Sequence, residues 1–586
     1  MCGIFGIINT NKRPVDQKEL KAGIKKIQHR GPNGNGLCVS GHVGMAACRL
    51  AIMDKSDASI QPFVKRKLIL TFNGTIYNYK ELRKELEALG AEFDTNGDTE
   101  VVLEAYSMWG QKCLQKFNGM WAIAIYDLDK QKIFFARDRF GIKPLYYTNC
   151  KNQFSFASEI KAFTALEDWE SHSNMETVGK YLVYGMQDFG SDTMFKGCHH
   201  LPAGHSAEYH IESDEMLIEQ YYSPSAEQSN PLSEDECIAK FSALLKDSIR
   251  LRAVSDTRIG ASLSGGIDSS SIVGFLSRMI CDPQSFSVVF PHETIDESIY
   301  IHDVVKSAKA DSIFISPSME EIWQTMDQLV YIQDEPFSSA SIGAQYLLFK
   351  SVHETGVQVM LDGQGADEII CGYESFLASA LKNIDDPLDK SVYLWEIFKN
   401  SGVSIPEAAS KMLAQKIRSK SRKPTWLMPD INPIEQIEDF NTSDTSKRLL
   451  TKMGLQALLH YADRNSMAFG IENRVPFLDY RLVDFCLSLH DNQKIINGHR
   501  KWLLKESAKA VLPKSVYNRK DKIGFETPQK KWMNQNRQFV KNELTKAVKH
   551  LAEIIDPSIL KSNLDEDIIW RILLLSKWKS AFNINL

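Results

Sequence analysis

The stretch RIGASLSGGIDSSSIVGFL, Arg258 to Leu276, decides the fold of the second half of the chain. A short apolar run leads into two glycines, and an apolar helical pattern follows, which predicts a strand, a tight loop and a helix. The runs FSVVF, SIFISP and VQVMLDG repeat the strand-like pattern downstream, with helical segments between them. This alternation predicts an α/β domain with a parallel sheet covered by helices, followed by a mostly helical part beyond Gly372.

The first half of the chain carries a different pattern. Short apolar runs, among them KLILTFNG, GMWAIAIYD, KIFFARD and FSFASE, alternate with turn residues up to about residue 222, which predicts mainly antiparallel strands. The polar stretch Ser223 to Glu236 follows, and Ser233 with Glu236 predicts a capping box that opens a helix. Because 586 residues exceed the roughly 250–300 of one hydrophobic core, we expect two domains, 2–222 and 233–586.

Composition and charge exclude several classes of protein. Hydrophobic residues make up 43% and charged residues 24% of the chain, which is typical of a globular enzyme. The net charge of −5 argues against nucleic-acid binding, and the basic cluster Lys411 to Lys423 lacks interleaved aromatic residues, as a solvated face does. No apolar run reaches the roughly 18–20 residues of a membrane span, and the N-terminus lacks a charged signal-peptide region. We expect a cytoplasmic protein that binds no membrane.

The ten cysteines form no CxxC pair and no metal-ligand spacing, which favours reduced and mostly buried thiols. Cys2 differs by its position. Because cysteine is small, the initiator methionine can be removed, and Cys2 would then carry a free α-amino group of pKa about 7.7–8.0 beside its thiol. Such a thiol has its own general base and needs no catalytic histidine.

Further segments accompany Cys2: HRGPNG from His29, RLAIMD from Arg49, FNGTIYN from Phe72, GDTE from Gly97 and ARDRFGIKPLYY from Ala136. With these segments the first half resembles the class II glutamine amidotransferases. The resemblance implies an α+β fold of the N-terminal nucleophile type, a sandwich of antiparallel sheets between helices. It also implies that ARDRFGIKPLYY shapes the core and the interface between the domains.

The same resemblance implies the residues of a glutaminase site. Cys2 would be the nucleophile, and Asn73 with Gly74 would form an oxyanion hole, whose N–H donors suit the charge that develops during amide hydrolysis. Arg49 would hold the carboxylate of glutamine and Asp98 its α-amino group, a pairing of opposite charges. Asn73 would also contact the substrate.

Two positions depart from the family pattern in this half. Thr75, an implied glutamine contact, replaces the glutamate of NGEIYN, and Asn33 replaces the aspartate of HRGPDG. Other class II amidotransferases lack that glutamate, so the departures bear on the affinity for glutamine rather than on the chemistry.

In SLSGGIDSS, Ser262 to Ser270, two glycines expose backbone N–H groups at a helix N-terminus, which suits phosphate. The loop lacks the GK[ST] ending of a Walker A motif. SGGxDS instead resembles the pyrophosphate loop of enzymes that cleave ATP to AMP and pyrophosphate. A second segment, LDGQGADEIICGY from Leu361, follows a strand, at the edge where parallel sheets bind ligands.

HYADRNSMAFGIENRVPFLDYRLVDF from His460 and NGHRKWLLKE from Asn497 extend the resemblance to the asparagine synthetase family, which then covers Cys2 to about Trp578. The resemblance makes Lys501 the catalytic lysine, which would stabilise negative charge during adenylation and amidation. Asp268 and Asp367 would hold Mg²⁺, which prefers carboxylate oxygens. The implied ATP contacts are Leu263, Ser264, Gly265, Gly266, Asp268, Ser269, Val288, Asp362 and Gly363.

The implied reaction consumes glutamine, ATP and a carboxylate, with aspartate as the expected acceptor and asparagine as the product. Ammonia released at Cys2 would cross an internal passage to an acyl-adenylate. Gln364 replaces a glutamate of the SGEGSDE pattern and cannot act as a base, and Asp362 replaces a serine. Another carboxylate, such as the uronic acid of a nucleotide sugar or of a surface-polysaccharide precursor, is therefore an alternative acceptor.

Two further hypotheses change the activity itself. A cyclase resembling β-lactam synthetase would need neither Cys2 nor the glutamine clamp. A non-catalytic sensor would bind glutamine or nucleotide without forming glutamate, but the retention of Cys2, Asp268 and Lys501 favours an enzyme. Family resemblance also suggests a homodimer.

Overall fold

A computed structural model describes residues 2–586 except 226–231, 383, 385, 401–423, 429–430, 432–441, 453, 521–523 and 563. The basic cluster Lys411 to Lys423 and part of the stretch Ser223 to Glu236 lie outside the described residues, so the domain boundary stays a prediction. Among the helices within the described ranges, none combines the length and the apolar character that a membrane crossing requires.

Two six-stranded antiparallel sheets form the N-terminal part of the chain. Their strands are β1 (Cys2–Asn9), β2 (Gly34–Ser40), β3 (Val43–Arg49), β4 (Phe63–Lys65), β5 (Leu68–Ile76), β6 (Gly119–Asp127), β7 (Lys132–Arg137), β8 (Tyr146–Cys150), β9 (Gln153–Ala157), β10 (Cys198–His200), β11 (His205–His210) and β12 (Glu215–Gln220). One sheet has the order β10-β8-β9-β1-β3-β2, and the other β12-β11-β7-β6-β5-β4. The helices are α1 (Gln17–Lys26), α2 (Tyr79–Ala88), α3 (Asp98–Trp109), α4 (Cys113–Lys116) and α5 (Met175–Tyr184).

Strand β1 is buried along its whole length because both of its faces are covered. Ile4 and Ile8 belong to the core between the two sheets. Phe5 and Ile7 belong to the core on the opposite face, where the Phe5 ring packs against Gly23 of α1. Successive side chains of a strand point to opposite faces. The alternation along β1 thus places one sheet between a helical layer and the second sheet, as the predicted sandwich requires.

A five-stranded parallel sheet of order β15-β14-β13-β16-β17 organises the C-terminal part. Its strands are β13 (Ile259–Ser262), β14 (Gln284–Val288), β15 (Asp311–Ile315), β16 (Val359–Leu361) and β17 (Glu472–Arg474). The described helices are α6 (Glu234–Arg252), α7 (Ile267–Leu276), α8 (Ser298–Ala308), α9 (Met319–Gln324), α10 (Met326–Gln333), α11 (Ser341–Glu354), α12 (Ala366–Ile369), α13 (Glu374–Lys382), α14 (Pro387–Asn400), α15 (Thr442–Thr451), α16 (Leu455–Met467), α17 (Tyr480–Ser488), α18 (Asp491–Lys494), α19 (Trp502–Ser507), α20 (Lys514–Tyr517), α21 (Gln529–Gln535), α22 (Arg537–His550) and α23 (Glu566–Phe582).

The predicted fold class is confirmed, and the capping box of Ser233 with Glu236 opens α6 as expected. One strand was not expected. The part beyond Gly372 is mostly helical, but β17 adds a parallel strand whose Glu472 pairs with Val359 of β16. Three residues are too few to show a period of two, so the sequence pattern could not reveal this strand.

Candidate active sites

Strand register brings the predicted glutaminase residues together. Cys2 begins β1 and pairs with Arg49 at the end of β3. The backbone N–H of Cys2 donates to Asn73 Oδ1 on β5 at 3.2 Å, across 71 positions of sequence. Cys2 is 5% exposed, and Gln61 Nε2 lies 3.7 Å from its sulfur. Gln61 escaped the sequence analysis because it lies in none of the family motifs.

Asn73 offers the donor that an oxyanion hole needs. Its Nδ2 is buried and has no hydrogen-bond partner among the described residues, an uncommon state for a buried amide. The NG pair lies inside β5 rather than in a turn. A Cβ atom on Gly74 would come within 2.2 Å of the Met120 carbonyl oxygen, so the close approach of β6 requires glycine there.

Arg49 and Asp98 line the same cavity as Cys2, which has a volume of about 20 Å³, room for about one water molecule. The Arg49 guanidinium donates to the carbonyl oxygens of Ser56, at 2.7 Å, and of Asp54. Burial raises the pKa of Asp98 to about 6. A cation and a carboxylate beside one thiol match the charged ends of an α-amino acid.

Thr75 connects this cavity to the parallel sheet. Its hydroxyl contacts both carboxylate oxygens of Glu472, each at 3.1 Å, and Arg474 Nε donates to Glu472 at 2.6 Å. Burial opposes ionisation of Glu472, but the charge and hydrogen bond of Arg474, together with the positive charges of the N-terminus and Lys143, outweigh burial and lower the pKa of Glu472 to about 2. The carboxylate that Thr75 contacts is therefore ionised at neutral pH. Sequence analysis missed Glu472 because β17 was not expected.

Three family segments meet in a buried ion network. Arg30, from HRGPNG, donates through Nε to the Cys2 carbonyl at 3.2 Å. Its Nη1 lies 2.7 Å from both Glu159 and Asp463. Lys143, from ARDRFGIKPLYY, lies 3.1 Å from Asp463, a residue of the HYADRNSMAFG segment. As expected, ARDRFGIKPLYY contributes to the interface between the two parts of the chain.

A larger cavity of about 600 Å³ opens at the C-terminal edge of the parallel sheet. Most of the predicted ATP contacts line it, namely Leu263, Ser264, Asp268, Ser269, Val288, Asp362 and Gly363. Gly266 and Lys501 line a neighbouring cavity of about 190 Å³, which shares Ser264, Asp268 and Asp367 with the first. Gly265 lines neither cavity, and its φ of +78° makes the turn between β13 and α7.

Lys501 lies between the two predicted metal ligands. Its Nζ is 2.5 Å from Asp268 Oδ2 and 2.7 Å from Asp367 Oδ1, and its side chain is 8% exposed. Burial alone would lower the pKa of Lys501, but the two carboxylates outweigh it and raise the pKa above its usual value. Because both carboxylates contact one ammonium group, their oxygens face a common point, which suits a shared divalent cation.

Gln364 and Asp362, where the second half departs from the family pattern, have surroundings that differ from those of Thr75. Gln364 Oε1 is buried without a hydrogen-bond partner among the described residues. The Asp362 carboxylate accepts from Asn473 Nδ2 at 3.2 Å, and burial raises its pKa. Glu368, which the sequence analysis did not single out, lines the same cavity and accepts from the Tyr373 hydroxyl at 2.6 Å. Burial raises the pKa of Glu368 to about 7.

Comparison with protein families assigns the class of enzyme. Residues 1–222 match the family model of the glutamine amidotransferase domain, and residues 240–580 match that of asparagine synthase. The chain is a carbon–nitrogen ligase with an amidotransferase domain. Since the second match covers more than half of the sequence, the chain belongs to the asparagine synthase family.

Curated relatives agree with this assignment. Asparagine synthetase [glutamine-hydrolyzing] 1 of Bacillus subtilis (strain 168) is 29% identical over 618 residues, covering 99% of this chain and 96% of the relative. Asparagine synthetase [glutamine-hydrolyzing] 2 of the same organism is 30% identical, covering 88% and 70%. Putative asparagine synthetase [glutamine-hydrolyzing] 2 of Methanocaldococcus jannaschii is 32% identical, covering 64% of this chain and 76% of the relative. The family predicted from the motifs is confirmed.

Proposed function

We propose that the chain is a glutamine-dependent asparagine synthetase, which converts ATP, aspartate, glutamine and water to AMP, pyrophosphate, asparagine and glutamate. The single observation that carries the proposal is the buried Asn73 amide beside Cys2, whose Nδ2 has no partner among the described residues. A donor held ready in this way stabilises charge that appears only during amide hydrolysis.

Glutamine hydrolysis takes place at Cys2. After removal of the initiator methionine, the α-amino group accepts the thiol proton, and sulfur attacks the side-chain amide of glutamine. Asn73 Nδ2 and the Gly74 N–H donate to the developing oxyanion, ammonia leaves, and water hydrolyses the thioester to glutamate. Because the cavity holds about one water, glutamine binding requires Arg49 to exchange backbone carbonyls for the substrate carboxylate.

An apolar cluster supports an internal route for ammonia. Leu50 and Ile52 line the glutaminase cavity, and Leu263 lines the larger cavity. All three belong to one buried hydrophobic cluster, together with Met120 and Ile142. Apolar walls disfavour ammonium more than neutral ammonia, because desolvating a charge costs far more. The cluster therefore keeps the nucleophile in its reactive form.

Adenylation takes place in the larger cavity, where the loop Ser262 to Ser270 at the N-terminus of α7 binds the phosphates of ATP. Asp268 and Asp367 would hold Mg²⁺, which would supply positive charge to the departing pyrophosphate. Lys501, held cationic beside both carboxylates, stabilises charge as the acceptor carboxylate attacks the α-phosphorus and again as ammonia attacks the acyl-adenylate.

A second acceptor class has one observation in its favour. Gln364 places an uncharged amide, whose Oε1 has no hydrogen-bond partner among the described residues, in the cavity where the family pattern has a glutamate. An amide can bind a hydroxyl-rich acceptor, such as a uronic acid, but cannot accept a proton from an amine. Amidation of a uronic acid in a nucleotide sugar or a surface-polysaccharide precursor is the alternative that this residue favours.

The test is the release of AMP and pyrophosphate by the reduced protein with Mg-ATP and glutamine, with and without aspartate. Aspartate-dependent AMP together with asparagine supports the first proposal. Glutamate without aspartate-dependent AMP refutes aspartate as the acceptor and directs the assay to uronic acids. Glutamine binding without any glutamate would indicate a sensor instead.

A further inference from the structure

Two histidines and two carboxylates meet where the N-terminal part contacts the C-terminal part. Asp188 follows α5, His200 ends β10, Glu335 follows α10 and His460 lies on α16. None of these four side chains is more than 8% exposed. None of them lines the cavities described above.

Donor atoms of Asp188, Glu335 and His460 converge on one another, and His200 lies beside Asp188. His460 Nδ1 lies 3.0 Å and 3.1 Å from the two oxygens of Asp188. His200 Nδ1 lies 4.0 Å from Asp188 Oδ1, beyond hydrogen-bond distance. One donor atom each of Asp188, Glu335 and His460 lies within 4.8 Å of the other two. Ligands of a tetrahedral zinc ion at 2.0–2.2 Å stand roughly 3.3–3.6 Å apart, so small shifts would close the site.

The outer hydrogen bonds of both imidazoles have the arrangement found around protein metals. His460 Nε2 contacts the Gln333 carbonyl oxygen at 2.9 Å, and His200 Nε2 contacts that of Gly190. Each Nε2 must carry a proton to donate to a carbonyl. With Nε2 protonated, His460 Nδ1 contacts the Asp188 carboxylate as a second donor, in the charged ring. A metal ion would take the place of that proton, and metal-bound histidines commonly donate their other N–H to a backbone carbonyl.

Two carboxylates give the cluster the negative charge that a divalent cation requires. Arg137, whose charge acts on Asp188 and His200, donates to the backbone carbonyls of residues 141, 143 and 201 rather than to the carboxylates of the cluster. Glu335 accepts a backbone N–H from Met194 at 2.5 Å.

We propose that Asp188, His200, Glu335 and His460 form a structural site for a divalent transition metal of the zinc type. Two imidazoles and two carboxylates give four ligands and a neutral complex, and the buried setting leaves no open position for substrate. Imidazole ligands disfavour Mg²⁺ and Ca²⁺, which prefer oxygen donors. With two ligands from each part of the chain, the metal would fasten the parts together.

The first experiment measures the metal content of untagged wild-type protein by mass spectrometry, before and after chelation, and then the uptake of Co²⁺ by the chelated protein. We expect a single zinc ion per chain, and visible absorption bands of tetrahedral cobalt that saturate at one equivalent. Chelation should also lower the melting temperature, because the metal binds only the folded state. Protein that contains no transition metal and takes up neither Zn²⁺ nor Co²⁺ would overturn the proposal.

Matched variants locate the site. His200→Gln and His460→Gln should each lose the cobalt spectrum, whereas His199→Gln should keep it, because His199 neighbours His200 on β10 but is 38% exposed and contacts Asp192. Asp268→Asn should also keep the spectrum, which separates this site from the cation site proposed for ATP. Retention of the spectrum in both His200→Gln and His460→Gln would overturn the assignment even if wild-type protein binds zinc. The outcome does not depend on the identity of the acceptor.

Discussion

The Cys2 cavity and the cavities at the edge of the parallel sheet differ in the elements that frame them. The Cys2 cavity is bounded by β1, β3 and β5, whose backbone ladders fix each side chain, and its volume is about 20 Å³. The cavity beside Lys501 and its larger neighbour lie among loops that follow parallel strands, where about 600 Å³ is open. Strand ladders suit one small substrate, whereas loops can admit a nucleotide and a second substrate.

The departures from the family pattern differ in the same way. Thr75 replaces a glutamate, and Glu472 supplies a carboxylate that contacts its hydroxyl. Gln364 replaces a glutamate too, but its Oε1 finds no partner among the described residues. Thr75 therefore has a hydrogen-bond partner within the protein, whereas the Oε1 of Gln364 is available to a bound ligand. The difference between this chain and its relatives should therefore concern the acceptor more than glutamine.

The largest expected effect separates the two cavities completely. Cys2→Ala should lower glutamine hydrolysis by about 10³-fold or more, because the nucleophile is lost. Ammonia-dependent AMP formation should remain, since Lys501 and the phosphate loop are untouched. Parallel assays of glutamate and AMP check this, with Cys281→Ala, an exposed cysteine, as the matched control. Unchanged glutamine-dependent synthesis in Cys2→Ala would contradict the assignment of the nucleophile.

The reciprocal variant tests the second cavity. Lys501→Ala should lower AMP formation by about 10²–10³-fold, the usual cost of removing one group that stabilises transition-state charge. Glutamine hydrolysis should persist. The control is Lys509→Ala, whose side chain is 63% exposed. If Lys501→Ala abolished glutaminase activity and spared AMP formation, the division of chemistry between the cavities would be wrong.

Asn73→Ala tests the oxyanion hole proposed for the Cys2 cavity. Loss of one oxyanion donor should lower kcat for glutamine hydrolysis by about 10²-fold, with a smaller change in KM. Steady-state kinetics with glutamine checks this, and Asn78→Ala, five residues further along the chain, should change kcat little. If Asn73→Ala raised KM by about 10²-fold and left kcat unchanged, Asn73 would act in substrate binding rather than in stabilising the oxyanion.

Thr75→Val probes the connection between the cavities. It removes a hydrogen bond to an ionised carboxylate, worth about 1.5–3 kcal/mol, and leaves the contact of that carboxylate with Arg474 in place. We expect glutamine-dependent synthesis to fall about 10-fold relative to ammonia-dependent synthesis, with a lower melting temperature. Thr75→Ser keeps the hydroxyl and should restore the ratio. A ratio that stays at the wild-type value in Thr75→Val would show that the contact is only structural.

The smallest effect concerns pH. Asp98 must be ionised to hold the α-amino group of glutamine, and its pKa of about 6 means that the charge is lost as pH falls through that value. The plot of log(kcat/KM) for glutamine hydrolysis should therefore steepen below about pH 6. The charge of Glu472 helps to raise this pKa, so Glu472→Gln should move the break to lower pH. If the break lies at the same pH in Glu472→Gln as in the wild type, the charge of Glu472 does not raise the pKa of Asp98.

The motifs predicted most of both sites because their chemistry depends on residue type and local spacing. SGGxDS at a strand-to-helix junction predicts a phosphate loop, and Cys2 would need only its own α-amino group as a base. Strands β5 and β6, which are nine residues long, could also be expected from their apolar runs.

What the sequence by itself determined was the identity of the reacting groups, their order along the chain and the family, since these rest on local patterns. Only the tertiary structure decided which distant polar groups meet. Glu472 contacts Thr75, Asp463 contacts Arg30, and His460 contacts Asp188. These pairs are separated by more than 270 positions. No local pattern encodes such contacts, because they depend on how two separately patterned parts pack and on the cost of burying a charge without a partner.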